Sequence, residues 1–276
     1  MIDVTGLVII GISGLAAGFL TGMVSLGGAF IIVPAIYQAL VLSGVDSHTS
    51  FTMAVATSIA FIVVSSSTAS VAYFRKKMID YRLLVIISLS SFLGIMIGVD
   101  TLLKTDDKLV RIGFGIFTWC LGIFLVFSKL RGWGKRHEGK SPTYSGLNQF
   151  VLAIISACVG FLVAIFGIGG GGILAPSIAL LFKSDIKRAL ATAIAATLVI
   201  SVYSFIIYAT KNPTNTDAIG ALNLGWVYLP ALAILVPTAF IATPLGVRVA
   251  IKIKHNMLLS IMAMIMFIMG GRFVFL

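Results

Sequence analysis

Two glycine-rich stretches interrupt long apolar runs: Ser25-Leu26-Gly27-Gly28 and Gly167-Ile168-Gly169-Gly170-Gly171-Gly172. Glycine accepts positive φ and leaves no side chain between its backbone and a ligand. A short apolar segment follows each stretch, so its first N–H groups and the positive end of its dipole would face whatever the stretch encloses. A helix start of this kind attracts anions. Hydroxyls lie on the segments that come next: Thr52, Thr57 and Ser58 after the first stretch, Thr192 and Thr197 after the second. Together these N–H and O–H groups make a donor-rich cradle suited to an acceptor-only anion. No Lys, Arg, Asp or Glu lies in the middle of any apolar run. An anion in the cradle would be held without a salt bridge. Asp100, Arg111 and Arg272 lie near run ends, where snorkelling or a local ion pair accounts for them.

Competing uses of the same residue types narrow the choice. A single membrane Ser or Thr commonly bonds its own helix backbone, so only threonines matched between the two halves of the chain are favoured as ligands. The run Ser65-Ser66-Ser67-Thr68 is a weaker candidate for lining a path. Gly18, Gly22 and Gly160, at helical spacing, are expected to let helices pack closely. Gly134 to Ser141 fits a phosphate-loop pattern and Gly167 to Gly172 a dinucleotide pattern. Neither follows a buried strand, which both mechanisms require. His48, His137 and His255 fall in different loops, so no metal site is expected, nor any cofactor. Cys120 and Cys158 sit within apolar runs and are expected to be buried structural thiols. Nothing resembles a nucleophile with its base, so the chain is not read as an enzyme.

The elements that must position these residues follow from composition. The 276 residues are 59% apolar and only 11% charged, with a mean hydropathy of +1.11. Soluble domains carry about 25% charged residues. The net charge of +11 does not imply a nucleic-acid partner, because the basic residues cluster between uncharged runs as topology signals do. An all-α integral membrane protein is expected, in contact with the lipid bilayer. Ten helical segments can be read, at 6–24, 29–43, 50–73, 82–103, 109–128, 148–166, 171–182, 189–210, 224–247 and 256–276. The second and seventh are too short to span, as expected of half-helices beside a break. A polar linker, 129–147, divides a first membrane repeat (1–128) from a second (148–276). The first segment has no basic region before it and is expected to be retained.

The halves echo each other. Residues 18–34 align without a gap onto 160–176, with seven of seventeen positions identical, including Gly18/Gly160, Gly27/Gly169, Gly28/Gly170 and Pro34/Pro176. Further on, Thr52 and Ala56-Thr57 are paired with Thr192 and Ala196-Thr197. Five segments per half is an odd number, so the repeats would have inverted topology, each with a glycine-broken half-helix pair. That arrangement points to a transporter with its site at the midplane. With both termini outside, fifteen of the twenty Lys and Arg residues fall inside, including Arg75, Lys76, Lys77, Lys183, Lys187 and Arg188. The positive-inside rule selects that orientation.

Gly18-Phe19-Leu20, Gly27-Gly28 and Pro34, answered by Gly160-Phe161-Leu162, Gly169-Gly170 and Pro176, resemble the TauE/SafE sulfite-exporter family. The entries His48-Thr49-Ser50 and Lys187-Arg188-Ala189 into threonine-bearing helices are similar as well. In the first half Ser25 and Ala29 stand where the family commonly has glycine. The resemblance implies an inner-membrane secondary transporter, often an exporter, of a small sulfur-containing anion such as sulfite, sulfoacetate or another organosulfonate. An anion channel-like pore and a non-transporting membrane scaffold are the alternatives, and homo-oligomerisation is left open.

Overall fold

The computed structural model describes residues 4–25, 28–105, 107–130, 144–211, 213 and 222–252, with positions 257, 260, 264 and 267 beyond them. The helices are α1 (Val4–Val24), α2 (Ala29–Leu42), α3 (Ser47–Arg75), α4 (Tyr81–Lys104), α5 (Asp107–Leu130), α6 (Gly146–Phe166), α7 (Gly171–Leu181), α8 (Ile186–Thr210) and α9 (Leu229–Lys252). Strands β1 (Asn223–Leu224) and β2 (Val227–Tyr228) form a small antiparallel hairpin just before α9. Among the described residues, α1, α3, α4, α6, α8 and α9 are long and apolar enough to cross a membrane. The expected short segments are short: α2 has 14 residues and α7 has 11. At about 1.5 Å per residue neither reaches across the ~30 Å hydrocarbon core. All but positions 257, 260, 264 and 267 of the expected tenth segment, 256–276, and most of the 129–147 linker lie outside the described residues.

Acidic residues are scarce, and three of them start helices. Asp46, Asp80 and Asp185 are the N-caps of α3, α4 and α8, accepting backbone N–H bonds from Thr49, from Arg82 and Leu83, and from Lys187. Such caps satisfy N–H groups that a helix cannot bond internally, at about 1 kcal/mol each. Asp100, near the far end of α4, pairs with Lys104 at 2.6 Å and with Lys211 at 3.6 Å. That is the local ion pair the sequence suggested.

The two most buried helices, α3 and α8, pack on each other at the centre. Around them α1 packs on α9 and α4 on α6, while α2 lies on α3 and α7 on α8. The first helix of each sequence half therefore packs on a helix of the other half. Small residues bring these pairs to backbone contact, as membrane packing favours. A Cβ on Gly98 would strike the Phe161 carbonyl, and one on Gly246 would strike the Phe19 carbonyl. Gly18, Gly22 and Gly160 lie against Ala242, the Thr243 carbonyl and the Ser91 carbonyl, which is the packing expected of them. Outward faces carry exposed Leu89, Leu93, Phe240 and Ile241, as lipid contact requires.

Two expectations are corrected. Cys120 and Cys158 are exposed, not buried. In a membrane protein the lipid-facing side of a helix is as apolar as its packed side, so an apolar run does not imply burial. The segment read as 224–247 begins later, at Leu229. The hairpin turns at Gly225 and Trp226, with Gly225 at φ +56, as a two-residue hairpin turn demands. Its apolar residues are continuous in hydropathy with those of the following helix.

Candidate functional site

The first break leaves α1 through Ser25 at φ +59 and enters α2 through Gly28 at φ +64. Ser25 is an L-residue in the left-handed region, a strained choice that clusters at functional sites. Gly28 caps α2 with its carbonyl, which accepts from Ile31 and Ile32 N–H at 2.9 Å each. Leu26 and Gly27 lie outside the described residues. The second break begins at Gly167, φ +64, the C-cap of α6. Ile168 and Gly169 follow, both buried, and the Gly170 carbonyl accepts from Ile173 and Leu174 N–H. No side chain caps α2 or α7. The N–H groups of Gly171 and Gly172 have no protein acceptor among the described residues. Pro34 and Pro176 each stand sixth in their half-helix, counting from Ala29 and Gly171.

The breaks meet. A Cβ on Gly171 would collide with the Cβ and Oγ of Ser25, so α7 starts directly against the first break. Ser25 Oγ lies 3.3 Å from Thr197 Oγ1 on α8. Reciprocally, Ser58 Oγ on α3 donates to the Gly167 carbonyl at 3.3 Å, and the Val55 backbone abuts Gly167. Each break is thus touched by the central helix of the other half. Ser25, Ser58 and Thr197 are all at most 1% exposed, and among the described residues no charged side chain is a partner of theirs. Two hydroxyls facing each other hold two protons, of which their mutual bond consumes one. The other remains available to an acceptor.

The remaining threonines do other work. Thr57 Oγ1 donates to the Met53 carbonyl (2.7 Å) and accepts the Tyr228 N–H (2.9 Å). Thr192 Oγ1 donates to the Arg188 carbonyl (3.1 Å) and accepts the Asp80 N–H (2.9 Å). Each therefore staples the connector before a long helix, α9 or α4, to the central helix of the opposite half. The same connectors bond Tyr208 and Tyr73 carbonyls through Trp226 and Met78 N–H. These contacts pair Thr57 with Thr192, not Thr57 with Thr197 or Thr52 with Thr192 as the sequence reading had it. A signal was present: Ala54, Ala56, Thr57, Ile59 and Ala60 recur at the same spacing as Ala189, Ala191, Thr192, Ile194 and Ala195. Thr52 is fully buried and its hydroxyl has no partner among the described residues. The hydroxyls of Ser65, Ser66, Ser67 and Thr68 all bond carbonyls of their own helix, so that run does not present donors to a path.

Comparison with known proteins shows the family. The family model for the sulfite exporter TauE/SafE matches residues 10–273. The chain belongs to the TauE/SafE sulfite-exporter family. Relatives include a probable membrane transporter protein, YunE, of Bacillus subtilis, 28% identical over 97% of both chains. A probable membrane transporter protein of Methanocaldococcus jannaschii is 26% identical over 94% of this chain and 92% of its own. One from Haemophilus influenzae is 26% identical over 89% of both. No solved structure matches the chain. Family membership, with the six long apolar helices, makes this TauE/SafE chain a multi-pass membrane permease.

Proposed function

We propose that the protein is a secondary transporter that exports a small sulfur-containing oxyanion, sulfite or an organosulfonate, by alternating access around the meeting point of the two breaks. The observation that carries this reading is the contact between Ser25, Thr197 and Gly171. It joins a hydroxyl pair and the uncapped start of α7 in one buried, uncharged cluster. Sulfonate and sulfite oxygens accept hydrogen bonds and carry negative charge, matching N–H and O–H donors and the positive helix end. Without a fixed cation the anion is held by hydrogen bonds alone and can leave again.

Two inverted repeats, 1–128 and 148–276, are the frame we propose for the motion. The reciprocal packing of α1 on α9 and α6 on α4 supports it, as do the matched threonine staples. Rocking of one half against the other would open the shared site to alternate sides. For orientation in the inner membrane we propose both termini outside. In support, Lys77 of the α3–α4 connector and Arg188 of the first turn of α8 line one cavity, and Asp100, Lys104 and Lys211 lie together at another site. An interior-negative potential then drives export, at about 2.3 kcal/mol per charge per 100 mV.

Proteoliposomes containing the purified protein test the proposal. Saturable counterflow of radiolabelled sulfite or sulfoacetate is expected, with outward flux rising as the interior is made more negative. Protein that moves neither anion in either direction would refute it.

A further inference from the structure

A second group of polar residues gathers where the α3–α4 connector, the start of α6 and the α7–α8 connector converge. A cavity of about 280 Å³ opens there, with Lys77, Asp80, Tyr144, Ser184, Arg188 and Ile178 in its wall. Its single carboxylate is already engaged. Asp80 caps α4 through the N–H groups of Arg82 (3.1 Å) and Leu83 (3.2 Å), and it accepts the Tyr144 hydroxyl. Burial and the bond to Asp80 push the Tyr144 hydroxyl up to about 12, so it stays protonated and bound to the carboxylate. The Arg82 guanidinium lies 4.9 Å from the centre of the Tyr144 ring, and that ring packs against Phe182.

The cations of the wall are not engaged in the same way. Among the described residues neither Lys77 nor Arg188 has an ion-pair partner. Lys77 is moreover held at φ +53, a conformation that L-residues adopt only under constraint. Helices α4 and α8 both start at this end, each capped by its own aspartate, Asp80 and Asp185. Half-helix α7 runs from the second break to this cavity, so its 11 residues separate the two places by roughly 16 Å at about 1.5 Å per residue. The last part of the corresponding connector of the other half, 222–228, has no charged residue and buries Trp226, Val227 and Tyr228.

We propose that the cavity is a second anion site, a vestibule in which Lys77 and Arg188 collect a small free oxyanion at the loop end of α7. That it feeds the breaks rests on the transport reading; that it binds an oxyanion does not. Two cations with no ion-pair partner among the described residues outnumber the one carboxylate of the wall and raise the local anion concentration, and their place at this end gives the carrier a loading side.

Isothermal titration of sulfoacetate into the purified full-length protein tests the site directly. Wild type is expected to bind two anions per chain, Lys77→Gln/Arg188→Gln one, and Lys77→Arg/Arg188→Lys two again. Wild-type stoichiometry in the glutamine variant, at unchanged thermal stability, overturns the proposal. Titration in phosphatidylcholine and phosphatidylglycerol nanodiscs separates a free oxyanion from a lipid headgroup. A vestibule site lost only in phosphatidylglycerol belongs to the headgroup and also overturns it. In proteoliposomes the glutamine variant should raise half-saturation about tenfold from the loop-bearing side alone and flatten its salt dependence. Equal half-saturation for wild type and variant on that side counts against the feeding role. If no protein transports, yet the variant loses one bound anion, the transport reading alone fails and the vestibule stands.

Discussion

The two glycine breaks occupy matching places in the chain yet contribute different groups. The first presents a side chain: Ser25, strained at φ +59, reaches Thr197 across the molecule. The second presents backbone: Gly167 offers its carbonyl to Ser58, and Gly171 starts α7 with no side chain between it and Ser25. Two breaks of similar sequence therefore contribute unlike groups, a hydroxyl donor from one side and amide donors from the other. Serine in the first break and glycine in the second are complementary: the Ser25 hydroxyl occupies the space that a Cβ on residue 171 would need.

The largest effect is expected from removing that complementarity. Gly171→Val should reduce transport to background while leaving membrane insertion intact, since its side chain must displace Ser25. Gly170, one residue earlier, faces the side chains of Val159, Val163 and Leu174, and only Val159 would have to shift for a Cβ there. Gly170→Ala should retain most of the flux. Equal losses in the two variants, measured in the same vesicles, would erase the distinction drawn between these positions.

A smaller effect is expected on the hydroxyl side. Ser25→Ala and Thr197→Val should each raise half-saturation about fivefold, from loss of roughly 1 kcal/mol of hydrogen bonding. Because both removals break one pair, the double variant should fall well short of the product of the two. Full additivity in a double-mutant cycle would mean that the two hydroxyls act separately.

The smallest effect on transport belongs to the staples. Thr57→Val and Thr192→Val each leave a connector N–H unpaired, at about 1–3 kcal/mol. Both should lower thermal stability by several degrees, at about 2–4 °C per kcal/mol in a chain of this size, without changing half-saturation. A raised half-saturation at unchanged melting temperature would instead assign these threonines to the ligand.

The sequence exposed a good part of this. Glycine density and short apolar segments located both breaks, because a continuous helix has no use for such runs. The expected packing role of Gly18, Gly22 and Gly160 follows from their helical spacing alone. What stayed hidden depends on contacts between distant residues. Thr57 and Thr192 share a role because each receives a connector from the opposite half, and threonines are common enough in α3 and α8 to be paired in the wrong register. The lipid-facing positions of Cys120 and Cys158 were illegible for a different reason: hydropathy has no contrast between lipid and packed interior. The hairpin at 223–228 was masked by its own apolar residues, with Gly225 the one local clue.

Selenite, a heavier analogue of sulfite, offers the most direct test of the central claim. Anomalous diffraction from crystals grown with saturating selenite should place a selenium peak within hydrogen-bonding reach of Ser25 Oγ, Thr197 Oγ1 and the Gly171 N–H. Selenium bound elsewhere in the molecule, with no peak between the two breaks, would contradict the account.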